Sequence, residues 1–148
     1  MSVVENVSTK LRGHITTMAN LKMYIAVLDD VPDFIVPTLV AHSVLNANMK
    51  FSDERFISSR FAQLGDDMEP IYPMYKEWLR ESFKKCVIRV SRSEFDKIAA
   101  LPDVHIGHEN KTLDAQPSCI VVCPRYENPN VLKFAKLWKP KHDLPKTQ

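Results

Sequence analysis

Glycine and cysteine are scarce in this sequence, and no long apolar run is present. Three glycines in 148 residues form none of the patterns G-x-G-x-x-G, G-x-x-x-x-G-K-[ST] or G-x-S-x-G, which excludes the common nucleotide-binding and hydrolase motifs. Three cysteines, an odd number, exclude a disulfide framework and favour a reducing compartment. No apolar run reaches the roughly 18 residues of a membrane helix, and no apolar stretch follows the first basic residues, so we expect a cytoplasmic protein without a secretory signal.

Charge is nearly balanced overall but uneven along the chain. The formal net charge of +2 excludes a strongly basic tail. From Lys111 onward there are seven Lys/Arg against three Asp/Glu, and Lys133, Lys136 and Lys139 recur at three-residue spacing near Arg125. Such a stripe either contacts an RNA backbone or is the solvated face of a surface helix.

The order of apolar segments predicts an α/β fold. The run KMYIAVL at residues 22–28 and the run PSCIVVCP at residues 117–124 are typical of strands buried on both faces. Weaker strands are predicted at KKCVIRV and DVHIG. The expected order is β-α-(α)-α-β-α-β-β-α, which implies a four-stranded mixed sheet flanked by helices.

Helix boundaries carry their own signals. After Pro37, an apolar stripe predicts the first helix, formed by Leu39, Val40, Val44 and Leu45. Ser91 or Ser93 ahead of acids predicts a capping box. Asn128 as N-cap with Pro129 at the first helical position predicts a closing helix that runs through Trp138.

Four stretches together resemble one family. They are Lys22–Val27 with Asp30, Ala41-His42-Ser43, Glu109-Asn110-Lys111-Thr112, and Ser118–Pro124 followed by a segment ending in Lys-Leu-Trp. Over roughly residues 22–140 the chain resembles the type II (archaeal and eukaryotic) peptidyl-tRNA hydrolases. The family has Ser-His-Ala where this chain has Ala-His-Ser, and an Asp-Ala-Gly-Arg-Thr-like loop where this chain has Glu-Asn-Lys-Thr.

The resemblance implies a domain division. It covers residues 21–140 as a single α/β domain, followed by a tail at residues 141–148. Residues 1–20 are weakly patterned in themselves and would form a loose N-terminal arm or a short leading helix. Relative to the family the domain has an insertion at about 49–75, whose bulky apolar residues offer a surface for a protein partner: Phe51, Phe56, Phe61 and Met68.

The resemblance also implies an activity and its residues. Cleavage of the ester between a peptide and tRNA needs an activated water, a donor for the oxyanion and cations for the phosphates. The catalytic candidates are Glu109, Thr112 and His42. The candidates for binding tRNA, or another RNA, are Lys111, Asp30, Thr38, Arg125, Lys133 and Lys136. No cofactor or metal is implied.

The first loop departs from the family pattern and leaves other functions open. The family has a Gly-Lys-Gly-Lys loop, whereas residues 31–37 here contain no glycine or lysine and carry Asp33. A second hypothesis is therefore a non-catalytic module that binds RNA or protein. A third is a small-molecule enzyme that uses the strand-end acids Asp29 and Asp30, which alternatively cap the following helix.

The histidines each have a structural alternative. His42 lies in an apolar helix, which is typical of a hydrogen-bonded core histidine as well as of a base. His105 and His108 would lie on opposite faces of a regular strand, and no further ligand is evident nearby, so no metal site is expected. Cys119 and Cys123 share one face of a strand, as buried packing residues do.

Overall fold

The computed structural model describes residues 21–52, 71–108 and 115–141. The predicted N-terminal arm lies outside these residues. No helix in these ranges is long and apolar enough to cross a membrane. In chain order the elements are β1 (Lys22–Leu28), a 3-10 turn (Asp33–Ile35), α1 (Val36–Ser52), α2 (Ile71–Arg80), β2 (Lys84–Val90), α3 (Arg92–Ala99), β3 (Val104–His108), β4 (Pro117–Arg125), α4 (Asn130–Lys133) and β5 (Lys136–Leu137).

The strands form one mixed sheet in the order β3-β4-β1-β2-β5. β1 and β2 run parallel, and the other neighbouring pairs run antiparallel. This confirms the α/β class and the mixed sheet flanked by helices. The prediction of four strands was wrong, because the described residues contain a fifth.

The fifth strand replaces the end of the predicted closing helix. α4 has only four residues, and Pro129 is its N-cap rather than its first helical residue, so Asn128 does not cap it and no side chain does. Beyond it, β5 pairs with the outer edge of β2, and the backbone N–H of Trp138 donates to the carbonyl oxygen of Val87 at 2.9 Å. An uncovered strand edge leaves backbone groups unpaired, and β5 satisfies part of that edge.

The core lies on both faces of the sheet. Residues Ser118 to Pro124 of β4 are all buried, so each face of this strand is covered. Cys119 lies against Ser43 of α1 and Cys123 lies near Tyr75 of α2. Because side chains alternate along a strand, the even-numbered residues of β4 face the other layer, which α3 and α4 provide.

The buried stripe of α1 differs from the prediction. It consists of Val36, Leu39, Ser43, Ala47 and Phe51. Leu45, expected on the core face, is 68% exposed. The stripe follows the spacing of three and four residues from Val36, and Leu45 falls off it.

The ends of the predicted insertion belong to the core. Phe51 was expected on a partner surface but is buried against Tyr75, with ring centroids 5.5 Å apart and the rings edge to face. Tyr75 is itself buried, and its hydroxyl donates to Asn48 Oδ1 at 2.6 Å. Phe56, Phe61 and Met68 lie outside the described residues.

Candidate functional site

The parallel strands β1 and β2 end at the same edge of the sheet, called here the carboxyl edge. Leu28 and Val90 are paired as the last residues of the two strands. The chain continues after them into Asp29 and Asp30 on one side and into Ser91 on the other. In open α/β sheets ligands bind outside the carboxyl ends of parallel strands, so a binding site is expected at this edge.

Two carboxylates and two cations form a network at the carboxyl edge. Arg89 Nη1 lies 3.6 Å from Asp29 Oδ1, and Arg89 Nη2 lies 3.4 Å from Asp33 Oδ1. Lys141 Nζ lies 3.7 Å from Asp29 Oδ1, and the backbone N–H of Lys141 donates to Asp33 Oδ2 at 2.6 Å. We call these four residues the Asp29–Arg89 network.

The network is anchored from the C-terminal side. The guanidinium of Arg89 lies 5.2 Å from the ring centroid of Trp138 and donates to the carbonyl oxygen of Lys139. Lys141 Nζ also donates to the carbonyl oxygen of Asp29 at 2.6 Å. The backbone N–H of Lys141, followed by Arg89, holds the pKa of Asp33 below its usual value. The loop after β1 therefore carries an ionised Asp33 that is already paired.

Asp29 and Asp30 differ in their surroundings. Asp29, expected at a site or at a helix cap, instead belongs to the Asp29–Arg89 network. Asp30, one of the predicted binding residues, is exposed beside it at the same edge. Pro32 precedes the 3-10 turn without a side-chain cap, so within the described residues neither acid caps the helix that follows.

His42 is exposed in the second turn of α1, so the alternative of a core histidine was wrong. Its Nε2 lies 3.1 Å from Asn46 Nδ2. An amide nitrogen can only donate, so Nε2 accepts and the neutral ring carries its proton on Nδ1. Thr38 is exposed one turn earlier, on the same helix face as His42. The structure thus brings these two predicted residues together.

α1 packs against β3, and the charge of its His42 reaches His105 on that strand. His105 is half-buried, and its Nε2 has no hydrogen-bond partner among the described residues. Burial, and then the charges of Lys50, His108 and His42, lower the pKa of His105. The strand register shifts between Gly107 and His108, so the expected alternation of the two β3 histidines is interrupted. The described residues contain no group of three His, Cys, Asp or Glu that could hold a metal ion.

Three predicted residues lie outside the described part of the chain: Glu109, Lys111 and Thr112. In sequence they follow directly on His108, the last residue of β3.

Arg125 lies at the opposite end of the sheet from the carboxyl edge. It is paired with Lys22, the first residue of β1. Its Nη2 donates to the carbonyl oxygen of Pro102 at 2.6 Å, and burial lowers its pKa. The guanidinium therefore stabilises the loop that precedes β3 by a hydrogen bond. The structure does not bring Arg125 together with Asp30, Thr38 or His42.

The predicted lysine stripe is not one helix face. Lys133 ends α4, Lys136 belongs to β5, and Lys139 follows it, and all three are exposed. Lys136 shares a surface depression with Asp29 and Arg89, which places it at the carboxyl edge. The sequence places Arg89 in a basic cluster with Lys84, Lys85 and Arg92 but assigns neither Arg89 nor Lys141 to a site, because the partner of each is an acid that is distant in sequence.

No protein-family model matches the chain, and no curated protein matches it either. The resemblance to the type II peptidyl-tRNA hydrolases therefore depends on the four sequence stretches quoted above.

Proposed function

We propose that this chain is a divergent relative of the type II peptidyl-tRNA hydrolases that cleaves the ester between a peptide and tRNA. The observation that supports this is the position of His42, an exposed imidazole on the same helix face as Thr38. His42 acts electrostatically on His105 of β3. The sequence after β3 carries the remaining residues that the resemblance assigns to the reaction: Glu109, Lys111 and Thr112.

The residues have complementary roles in this reaction. Water adds to the ester carbonyl, the bond to the tRNA 3′ oxygen breaks, and the peptide leaves as a carboxylate while the 3′ oxygen takes a proton. Because Nε2 of His42 accepts from Asn46, its Nδ1–H is the atom available to stabilise the oxyanion. The carboxylate of Glu109 would accept the proton of the water, with the hydroxyl of Thr112 orienting it.

A second candidate is a non-catalytic binding module on the same fold, as the Asp29–Arg89 network favours. The resembled family carries lysines in the loop after β1. In this chain that loop carries Asp33, which is paired with Arg89 and Lys141. The network therefore leaves the loop without a cation of its own to meet a tRNA phosphate, and a binding module needs none there.

The test is turnover of an N-acetylated aminoacyl-tRNA by the full chain. We compare the wild type with His42→Ala, Glu109→Ala and Thr112→Ala. Loss of one positioned acid–base group costs about 100-fold to 10,000-fold in rate. Met49→Ala is the matched control for His42, because Met49 is exposed on the same helix and has no assigned role.

The outcomes separate the two candidates. Turnover that falls in the three variants and persists in Met49→Ala supports the hydrolase and its site. Turnover that is equal in all variants keeps the activity but overturns the site. If the wild type does not turn over the ester while circular dichroism shows an intact fold, the hydrolase is overturned and the binding module takes its place.

A further inference from the structure

A small depression lies between the end of β1, the first turn of α3 and the start of β4. Its volume is about 100 Å³, comparable to a few water molecules. Its polar lining consists of Asp30, Arg92, Gln116 and Ser118, and its apolar lining includes Leu28 and Val31. We call it the Ser118 depression.

The hydroxyl of Ser118 is buried without a partner. Ser118 is 2% exposed, and its Oγ forms no hydrogen bond with the described residues. Cys119 lies against Ser43 of α1, so the preceding side chain points to the opposite face of the sheet, where α3 and the depression lie. A buried hydroxyl left unsatisfied costs free energy that a bound polar group recovers.

The depression also has two charges of opposite sign that do not neutralise each other. Asp30 and Arg92 both line it, and neither forms an ion pair within the described ranges. The guanidinium of Arg92 instead lies over the ring of Phe95, 5.6 Å from the ring centroid. This contrasts with Asp29 and Asp33, whose carboxylates are both engaged in the Asp29–Arg89 network.

We propose that the Ser118 depression binds a free α-amino acid with a small side chain. Asp30 holds the ammonium group, Arg92 pairs with the carboxylate, and the Ser118 hydroxyl donates to it. Leu28 and Val31 meet a side chain no larger than a methyl or a similar group. This site goes beyond the proposed esterase function and does not depend on it.

The test is calorimetric titration of the full chain with L-alanine. Because the ligand has few atoms, we expect saturable binding with a dissociation constant of about 1 mM. Acetate and ethylammonium each carry one of the two charges, and we expect each to bind at least about tenfold more weakly. L-Phenylalanine carries both charges but has a much larger side chain to place against Leu28 and Val31, so it should bind more weakly than L-alanine.

Variants identify the site. Asp30→Asn, Arg92→Gln and Ser118→Ala should each weaken L-alanine binding by about tenfold or more, the loss of one charge-assisted contact. The control is Asp96→Asn, which changes an exposed acid on α3, the helix that carries Arg92. This variant should bind L-alanine as the wild type does. The proposal is overturned if L-alanine does not bind, or if acetate binds as tightly as L-alanine does. It is also overturned if Asp30→Asn and Arg92→Gln bind L-alanine with the affinity of the wild type. Because Asp30 and Arg92 are exposed, these two variants keep the test valid if Ser118→Ala disturbs the fold.

Discussion

The Cβ position that Gly107 leaves empty lies 2.1 Å from Oγ of Ser43 and 2.9 Å from its Cβ. Ser43 is fully buried on α1, so the helix approaches β3 as closely as a residue without a side chain allows. His42, the residue before Ser43, is exposed on the same helix, and its charge contributes to the lowered pKa of His105 on β3.

Gly107→Ala should therefore destabilise the protein by about 1 to 3 kcal/mol, the usual cost of overpacking a core. Ser43→Ala should recover part of this loss, because it removes the closer of the two clashing atoms. On its own it should cost less than Gly107→Ala, because the hydroxyl that it removes contacts the thiol of Cys119, a weak hydrogen-bonding group. Urea unfolding of the wild type, both single variants and the double variant measures the coupling. Strictly additive effects would contradict the close contact.

Ser91→Ala should cost about 1 kcal/mol of unfolding free energy. Ser91 Oγ accepts from the backbone N–H of Glu94 at 3.2 Å, and Glu94 Oε1 accepts from the backbone N–H of Ser91 at 3.0 Å. Ser93→Ala is the matched control, because Ser93 is exposed inside the same helix. Its effect should stay within about 0.5 kcal/mol. Urea unfolding measures both variants. Equal losses of unfolding free energy in Ser91→Ala and Ser93→Ala would show that the capping box does not stabilise α3.

Asp33→Asn should lower the urea midpoint at pH 7, and the difference from the wild type should vanish in acid. The pKa of folded Asp33 lies below its ordinary value of 3.8, so the unfolded chain takes up the proton first as the pH falls. The stabilisation is therefore complete above pH 3.8 and is lost as the pH falls through the folded value. Urea midpoints of both proteins from pH 7 downward measure this. A constant difference across that range would contradict the pairing with Arg89 and Lys141.

His105→Gln should reduce the amount of unfolding free energy that this protein loses when the pH falls below 6.5. Burial, followed by the charges of Lys50, His108 and His42, lowers the pKa of His105 from its ordinary value of 6.5. The unfolded chain therefore binds the proton more readily, and the wild type loses stability as the pH falls below 6.5. Thermal unfolding by circular dichroism at several pH values tests this. The same slope in variant and wild type would show that His105 is not the group responsible.

The sequence predicts the middle of this fold better than its edges. β1 and β4 are continuous apolar runs, and such runs are buried on both faces whatever surrounds them. The Ser91 capping box is equally local, since Ser91 and Glu94 satisfy each other's backbone groups. β5 could not be foreseen, because two residues have no periodicity and their pairing depends on the free edge of β2.

In the candidate site, too, residues that belong to local sequence patterns could be predicted, and residues that depend on distant partners could not. His42 and Asp30 became candidates through short local stretches. Arg89 was noted only as one of several basic residues, because its pairing becomes evident only when Asp33, 56 positions earlier, is folded against it. Ser118 gave no signal either, since a serine in an apolar strand is unremarkable until its hydroxyl is known to lack a partner.

The bond between the backbone of Lys141 and Asp33 spans 108 positions of the chain. Arg89 comes from the neighbouring strand, whereas Lys141 comes from the segment beyond β5. The second cation that Asp29 and Asp33 meet is therefore supplied by the C-terminal end of the described chain, and removing that segment would leave two carboxylates at the carboxyl edge to a single arginine.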